Sequence, residues 1–208
     1  MIKRWLLAFT LLALTSGSAF AQLAFVEGQD YQRISPAVKT SDPDQVVVTE
    51  VFWYGCPHCF RFEPYVERFA ASLPDGVIFE QVPSALNPRW TEHARAYYSF
   101  QMMGVLEQTH KAFFDAIHLK RQRLNSLDTI AEFVAERGLD EKAFRDAYFS
   151  FPVETQLRRN GQKEKLYGHN GVPAVIVNGK YLISASLAGS NDRMIQIMNF
   201  LVAQELAQ

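Results

Sequence analysis

Short, nearly continuous apolar runs alternate along this chain with longer stretches in which apolar residues return every three or four positions. Val46-Val-Val-Thr-Glu-Val-Phe52 is β-branched and almost uninterrupted, the pattern of a strand buried on both faces. Val77-Ile-Phe-Glu-Gln-Val82 predicts a second strand. Between them Phe62, Val66, Phe69 and Leu73 recur at helical spacing, with Pro57 suited to the first turn. Pro64 falls inside that spacing and is expected to kink the helix rather than end it. From about Pro88 to Tyr167 the pattern is helical. Phe113, Ala116 and Ile117 mark one face, Ile130, Phe133 and Val134 another, and Gly104, Gly138 and Gly168 sit where helices stop. Val172–Val177 and Tyr181–Ser184 flank Asn178-Gly179, a strong hairpin signal. A closing helix follows Ser190-Asn191, burying Met194, Ile195, Met198, Leu201 and Val202. The order is strand, helix, strand, helical block, hairpin, helix, which is an α/β class of fold.

The first residues follow another pattern. Met1-Ile2-Lys3-Arg4 is a positive start, Trp5–Leu14 is apolar for about ten residues, and Ala19-Phe20-Ala21 completes an Ala-x-Ala site. This reads as a signal peptide over residues 1–21, cleaved after Ala21, and hence as an exported protein. The competing reading, a membrane anchor, needs roughly twenty apolar residues. The remaining 22–208 is long enough for one core and contains no linker or repeat. Net charge is −1, about −3 once Lys3 and Arg4 leave, so no basic field invites nucleic acid.

Cys56 and Cys59 are the only cysteines. A disulfide between them would close a tiny loop and constrain the unfolded chain little. The spacing suits chemistry better: neighbouring sulfurs that alternate between dithiol and disulfide. Cys56 falls where the first helix begins, with unpaired N–H groups and the positive end of the helix dipole directed at its sulfur. That stabilises a thiolate, the reacting species. Cys59, one turn further in, is expected to be more shielded. Zinc usually wants a second ligand pair, and none exists here: His93, His110, His118 and His169 are scattered, His110 and His118 reading as ordinary helix residues. A passive local disulfide is the other alternative.

Cys56-Pro-His-Cys59, the preceding Phe-Trp-Tyr-Gly and the later Gly171-Val-Pro-Ala-Val-Ile-Val-Asn-Gly-Lys-Tyr181 together resemble the DsbA family of periplasmic thiol–disulfide interchange proteins. The resemblance runs over nearly the whole chain beyond the leader. It implies a thioredoxin-like fold with an inserted helical domain at about 88–167, and a low-pKa, oxidising dithiol. It also implies a monomeric periplasmic oxidase with no bound cofactor or metal. Its partners would be reduced, unfolded exported proteins and a DsbB-type, quinone-linked membrane protein that reoxidises it.

Residue by residue, Cys56 is expected to be the sulfur attacked by substrate, forming a mixed disulfide, and Cys59 its partner in the Cys56–Cys59 disulfide. Pro57 and His58 form the dipeptide that tunes the site, His58 by charge or hydrogen bonding to the thiolate. Pro173 resembles the family's cis-proline beside the dithiol. Val172 matches the oxidase branch, and its backbone is expected to pair with the substrate chain. Glu50, a carboxylate inside a strand that otherwise reads as buried, resembles the family's buried acid, a proton relay for Cys59; a solvent-facing strand end is the bland alternative. Relatives often place a basic partner on the next strand, where this chain has Gln81. Trp53, Tyr54, Phe60 and Val172 are candidates for an apolar docking surface, although aromatics beside a strand are more often core. Arg158, Arg159, Lys163 and Lys165 read as a solvated helix face. A reductase or isomerase on the same fold, or a redox-inert chaperone-like binding module, are the rival functions. An isomerase of this kind needs a dimerisation domain, and residues between Gln22 and Val46 are too few for one.

Overall fold

The computed structural model describes residues 25–208, so the signal peptide expected over residues 1–21 lies outside the described residues. Among those described, no helix is long and apolar enough to cross a membrane.

Five strands form one sheet in the order β1-β5-β4-β2-β3. The central strand β2 (Val46–Phe52) has every residue buried, as its near-continuous apolar run dictates. It runs parallel to β3 (Val77–Pro83) and antiparallel to β4 (Ala174–Val177). β4 pairs in turn with β5 (Tyr181–Ser184), which holds the short β1 (Gln32–Arg33) at its outer edge. The β4–β5 turn is Asn178-Gly179, both at positive φ as a tight hairpin of this kind requires. A Cβ on Gly179 would lie 1.9 Å from the Val38 carbonyl oxygen, so only glycine fits there.

Helix α1 (Pro57–Ala70) follows β2 and continues past Pro64. It stops before Leu73, which packs against the core from the turn beyond the helix. α1 and α8 (Asn191–Leu206) cover one face of the sheet, where Val48, Phe62, Val66, Val175, Ile197 and Leu201 form a continuous apolar layer. Between β3 and β4 run five helices: α2 (Pro88–Met102), α3 (Leu106–His118), α4 (Leu127–Ala135), α5 (Glu141–Tyr148) and α6 (Phe151–Tyr167). Their aromatic core is built on Phe100, Phe113, Phe114, Phe133 and Phe144, and it extends to Phe52, Tyr54, Cys56 and Cys59. The two cysteines therefore sit at the seam between sheet and helical block. After β5 a single turn, α7 (Ala185–Ala188), leads into α8. Strand β4 begins at Ala174, so Val172 and Pro173 belong to the loop that leads into it and not to the strand.

Candidate functional site

Cys56 is the N-cap of α1 and has an extended backbone, with Pro57 in the first turn, where its missing N–H costs nothing. Gly55 gives the approach its shape: a Cβ there would lie 2.2 Å from the Trp53 indole, which folds over it. Cys56 is 7% exposed and Cys59 fully buried, both as free thiols. The two sulfurs ionise in opposite directions. The Cys59 thiol donates toward Cys56, whose pKa falls from 9.0 to about 6 despite burial; the Cys59 and His58 backbone N–H groups and the His58 charge add to this. Cys59 is pushed up, first by burial and then by its role as that donor. His58 itself is exposed, and its Nδ1 takes a hydrogen from Arg61 at 3.0 Å.

Across from the helix start, the Val172–Pro173 bond is cis, and the Val172 carbonyl lies 3.5 Å from Cys56 Sγ. A groove of about 440 Å³ opens beside them, walled by His58, Val172, Pro173, Ser186 and Asn191 and floored by Met194.

Beneath the dithiol the sequence reading was incomplete. Glu50 is fully buried; it accepts one hydrogen bond, from Gln81 Nε2 at 2.9 Å, and its Oε1 has no partner. Burial raises its pKa well above 4.5, the nearby Glu63 charge adds to this, and Gln81 only partly opposes it. The same amide nitrogen donates to Glu63 on α1 at 3.1 Å, and Glu63 meets His110 Nε2 at 3.1 Å. His110 Nδ1 meets the Tyr54 hydroxyl at 2.8 Å. A carboxylate only accepts, so His110 donates to Glu63 through Nε2, which leaves Nδ1 to share a hydrogen with the Tyr54 hydroxyl.

His110 and His118 are thus not ordinary helix residues. His118 donates Nε2–H to the Tyr54 carbonyl at 2.8 Å and stacks on Phe60 at 4.7 Å. Both were missed because the partners come from α1 and the β2–α1 loop, which spacing within α3 does not reveal. Glu63 left a legible trace: it interrupts the apolar stripe of α1 between Phe62 and Val66.

The expected docking surface is corrected at one position. Tyr54 is wholly buried beneath the helical block, bonded through its hydroxyl and packed on Phe113 and Phe114, so it cannot meet a partner. Trp53, Phe60 and Val172 remain part-exposed around Cys56. Trp53 stacks on Trp90 at 5.0 Å, with Arg89 over its ring.

A sulfur held as thiolate at a helix start, a shielded partner sulfur one turn on, and a proline loop facing both can exchange one disulfide for another. On this sheet they define a thiol–disulfide oxidoreductase of thioredoxin-like fold. Known proteins agree. Residues 75–201 match the model of the DSBA-like thioredoxin domain. The thiol:disulfide interchange protein DsbA of Azotobacter vinelandii is 37% identical over 178 residues, 86% of this chain and 83% of that protein. DsbA of Pseudomonas aeruginosa is 32% identical over 206 residues, 98% of each. The crystal structure of Pseudomonas aeruginosa DsbA superposes with a TM-score of 0.84 at 33% identity, covering 88% of this chain and 95% of that one. That of the oxidoreductase DsbA from Xylella fastidiosa gives 0.83 at 28%, covering 88% and 98%. The chain belongs to the DsbA family.

Proposed function

We propose that this chain, exported and cleaved after Ala21, works in the periplasm as a monomeric dithiol oxidase that donates disulfide bonds to exported proteins. The observation that carries this reading is the position of Cys56, at the start of α1 and 3.5 Å from the Val172 carbonyl oxygen beside the cis-proline, with its pKa lowered to about 6. A substrate thiolate attacks Cys56 Sγ of the Cys56–Cys59 disulfide; the S–S bond breaks and Cys59 leaves with the electron pair. Cys59, whose thiol form burial favours, takes up a proton, with Glu50 beneath it as the source. A second substrate thiolate then attacks the substrate sulfur of the mixed disulfide. Cys56 leaves as the stabilised thiolate, and the substrate has lost two electrons to the enzyme.

His58, at the mouth, steadies the Cys56 thiolate through its backbone N–H. Pro57 sets the helix entry. The Val172 backbone and Pro173 receive the substrate chain as a strand edge does, while Trp53 and Phe60 offer apolar contact. A DsbB-type, quinone-linked membrane protein takes the two electrons and restores the disulfide, with no bound cofactor in this chain. The helices between β3 and β4, over about 88–167, act as an inserted domain that walls one side of the site.

Mixing the oxidised protein with a reduced, unfolded substrate tests this. Stoichiometric substrate disulfides, with Cys56 and Cys59 becoming free, are the expected result. A protein that leaves the substrate reduced would be the redox-inert module; one that only reduces or reshuffles existing disulfides would be the reductase or isomerase.

A further inference from the structure

Two buried side chains outside the dithiol meet behind the cis-proline loop. Glu164 on α6 and His169, just past the capping Gly168, have side chains that are each 1% exposed. Glu164 accepts from Ser84 Oγ at 2.5 Å through Oε2 and from the Ala85 backbone N–H at 2.9 Å through Oε1, tying α6 to the end of β3. His169 Nδ1 lies 3.1 Å from the Gly171 carbonyl oxygen, and its Nε2 lies 3.3 Å from Glu164 Oε2.

A carbonyl oxygen only accepts, so His169 Nδ1 carries a hydrogen and donates it to Gly171. Nε2 faces Glu164 Oε2 without an aligned hydrogen bond, so the carboxyl, itself fixed by Ser84 and Ala85, backs the far edge of the ring while Nδ1 holds the loop. The other titratable groups whose ionisation feels Glu164 are Tyr98 and Tyr167, with Glu80 beyond them. Burial raises both phenols, that of Tyr167 to about 12, so neither adds a charge at neutral pH.

We infer that the Glu164–His169 pair is a clamp for polypeptide substrates, fixing the Gly171 carbonyl and so the pose of Val172 and Pro173 beside Cys56. This rests on the reading of Val172 and Pro173 as the substrate edge. His169 is a positioning residue: it touches the loop and not the sulfurs. The apolar patterning gave no sign of it, since Glu164 falls within a helix that reads as charged and solvated.

Two isosteres separate its contacts. His169→Asn places an amide N–H near Nδ1 and keeps the bond to Gly171; His169→Gln places one near Nε2 and keeps only the Glu164 contact. With a reduced unfolded polypeptide, His169→Gln is expected to raise KM about tenfold with kcat little changed, and His169→Asn to restore most of that loss. Exchange with dithiothreitol, too small to pair with a strand edge, should match wild type in both. Equal loss toward polypeptide and dithiothreitol, or Asn and Gln variants that behave alike, would overturn the clamp. If the variants do not fold, nitrogen NMR of the His169 ring in the wild-type protein decides. A hydrogen on Nδ1 supports the clamp, and a bare Nδ1 overturns it. A wild type that oxidises no substrate would sink the oxidase reading alone, since the NMR result is read independently.

Discussion

Two glutamates are buried toward opposite ends of the same sheet, and their surroundings push them in opposite directions. Glu205, on α8 beside the β4–β5 turn, takes hydrogens from Lys180 Nζ and Asn178 Nδ2, each at 2.6 Å. Burial alone would raise its pKa, but these partners outweigh it and leave the carboxyl below its ordinary value. Glu50, on β2 beneath the dithiol, has one amide hydrogen, an unpartnered oxygen and a second carboxylate nearby, and its pKa rises. Glu50 is the more deeply buried and has the fewer donors, and the two differences act in the same direction. A satisfied carboxylate fastens a hairpin to a helix. An unsatisfied one readily holds a proton.

The contrast can be broken most forcefully at the dithiol itself. Cys56 has a folded pKa of about 6 against an ordinary 9.0, so its contribution to the reduced form is full above the unfolded value and is lost as pH falls through the folded one. Relative to the oxidised form, Cys56 should therefore favour the reduced form by up to about 4 kcal/mol between acidic pH and pH 9, above which the raised Cys59 pKa works in the opposite direction. Denaturant unfolding of both redox forms across that range measures it, and a flat difference would remove the stabilised thiolate from the account.

Glu205→Leu should come next, costing about 2–3 kcal/mol by stranding Lys180 and Asn178, with exchange per folded molecule unchanged. Because the Glu205 pKa is lowered, the loss should shrink as pH falls below the ordinary carboxylate range. A neutral substitution would mean that the far end of the sheet is no better satisfied than the near end.

Glu50→Gln should do the reverse. A raised folded pKa means that the stability Glu50 lends is full below 4.5 and is lost as pH rises through the folded value. The variant should therefore gain stability at neutral pH, while steps that move the Cys59 proton slow. Lower stability with unchanged exchange kinetics would make Glu50 a structural acid like Glu205. Smallest, Tyr54→Phe removes the hydroxyl at the end of the His110 chain and should lose about 1 kcal/mol by thermal or denaturant unfolding; a gain would show that bond to be strained.

Much of this was legible in the chain, and what escaped has a common cause. Val46–Phe52 shows the central strand because burial on both faces leaves only two polar residues, Thr49 and Glu50, and the charged one marks itself. Cys56 and Cys59 declare redox chemistry because so short a loop has little structural use. Leu73 misled, since helical spacing persists one turn past the hydrogen-bonded end of α1 at Ala70. Tyr54 misled in the other sense: an aromatic beside a cysteine pair can face solvent or core, and only the packing of α3 decides. The partners of Glu63 and His110 were invisible because each pairing joins distant elements, and one sequence records no distances; those of His169 lie within five residues, but no pattern there shows that its ring turns inward.

The central claim is that the fold holds the dithiol more comfortably reduced than oxidised. Equilibrating the protein in glutathione buffers of graded ratio, and measuring the fraction with Cys56 and Cys59 free, tests it most directly. The account predicts mostly free thiols even where oxidised glutathione is a large share of the buffer. A Cys56–Cys59 disulfide that persists in a large excess of reduced glutathione would contradict it.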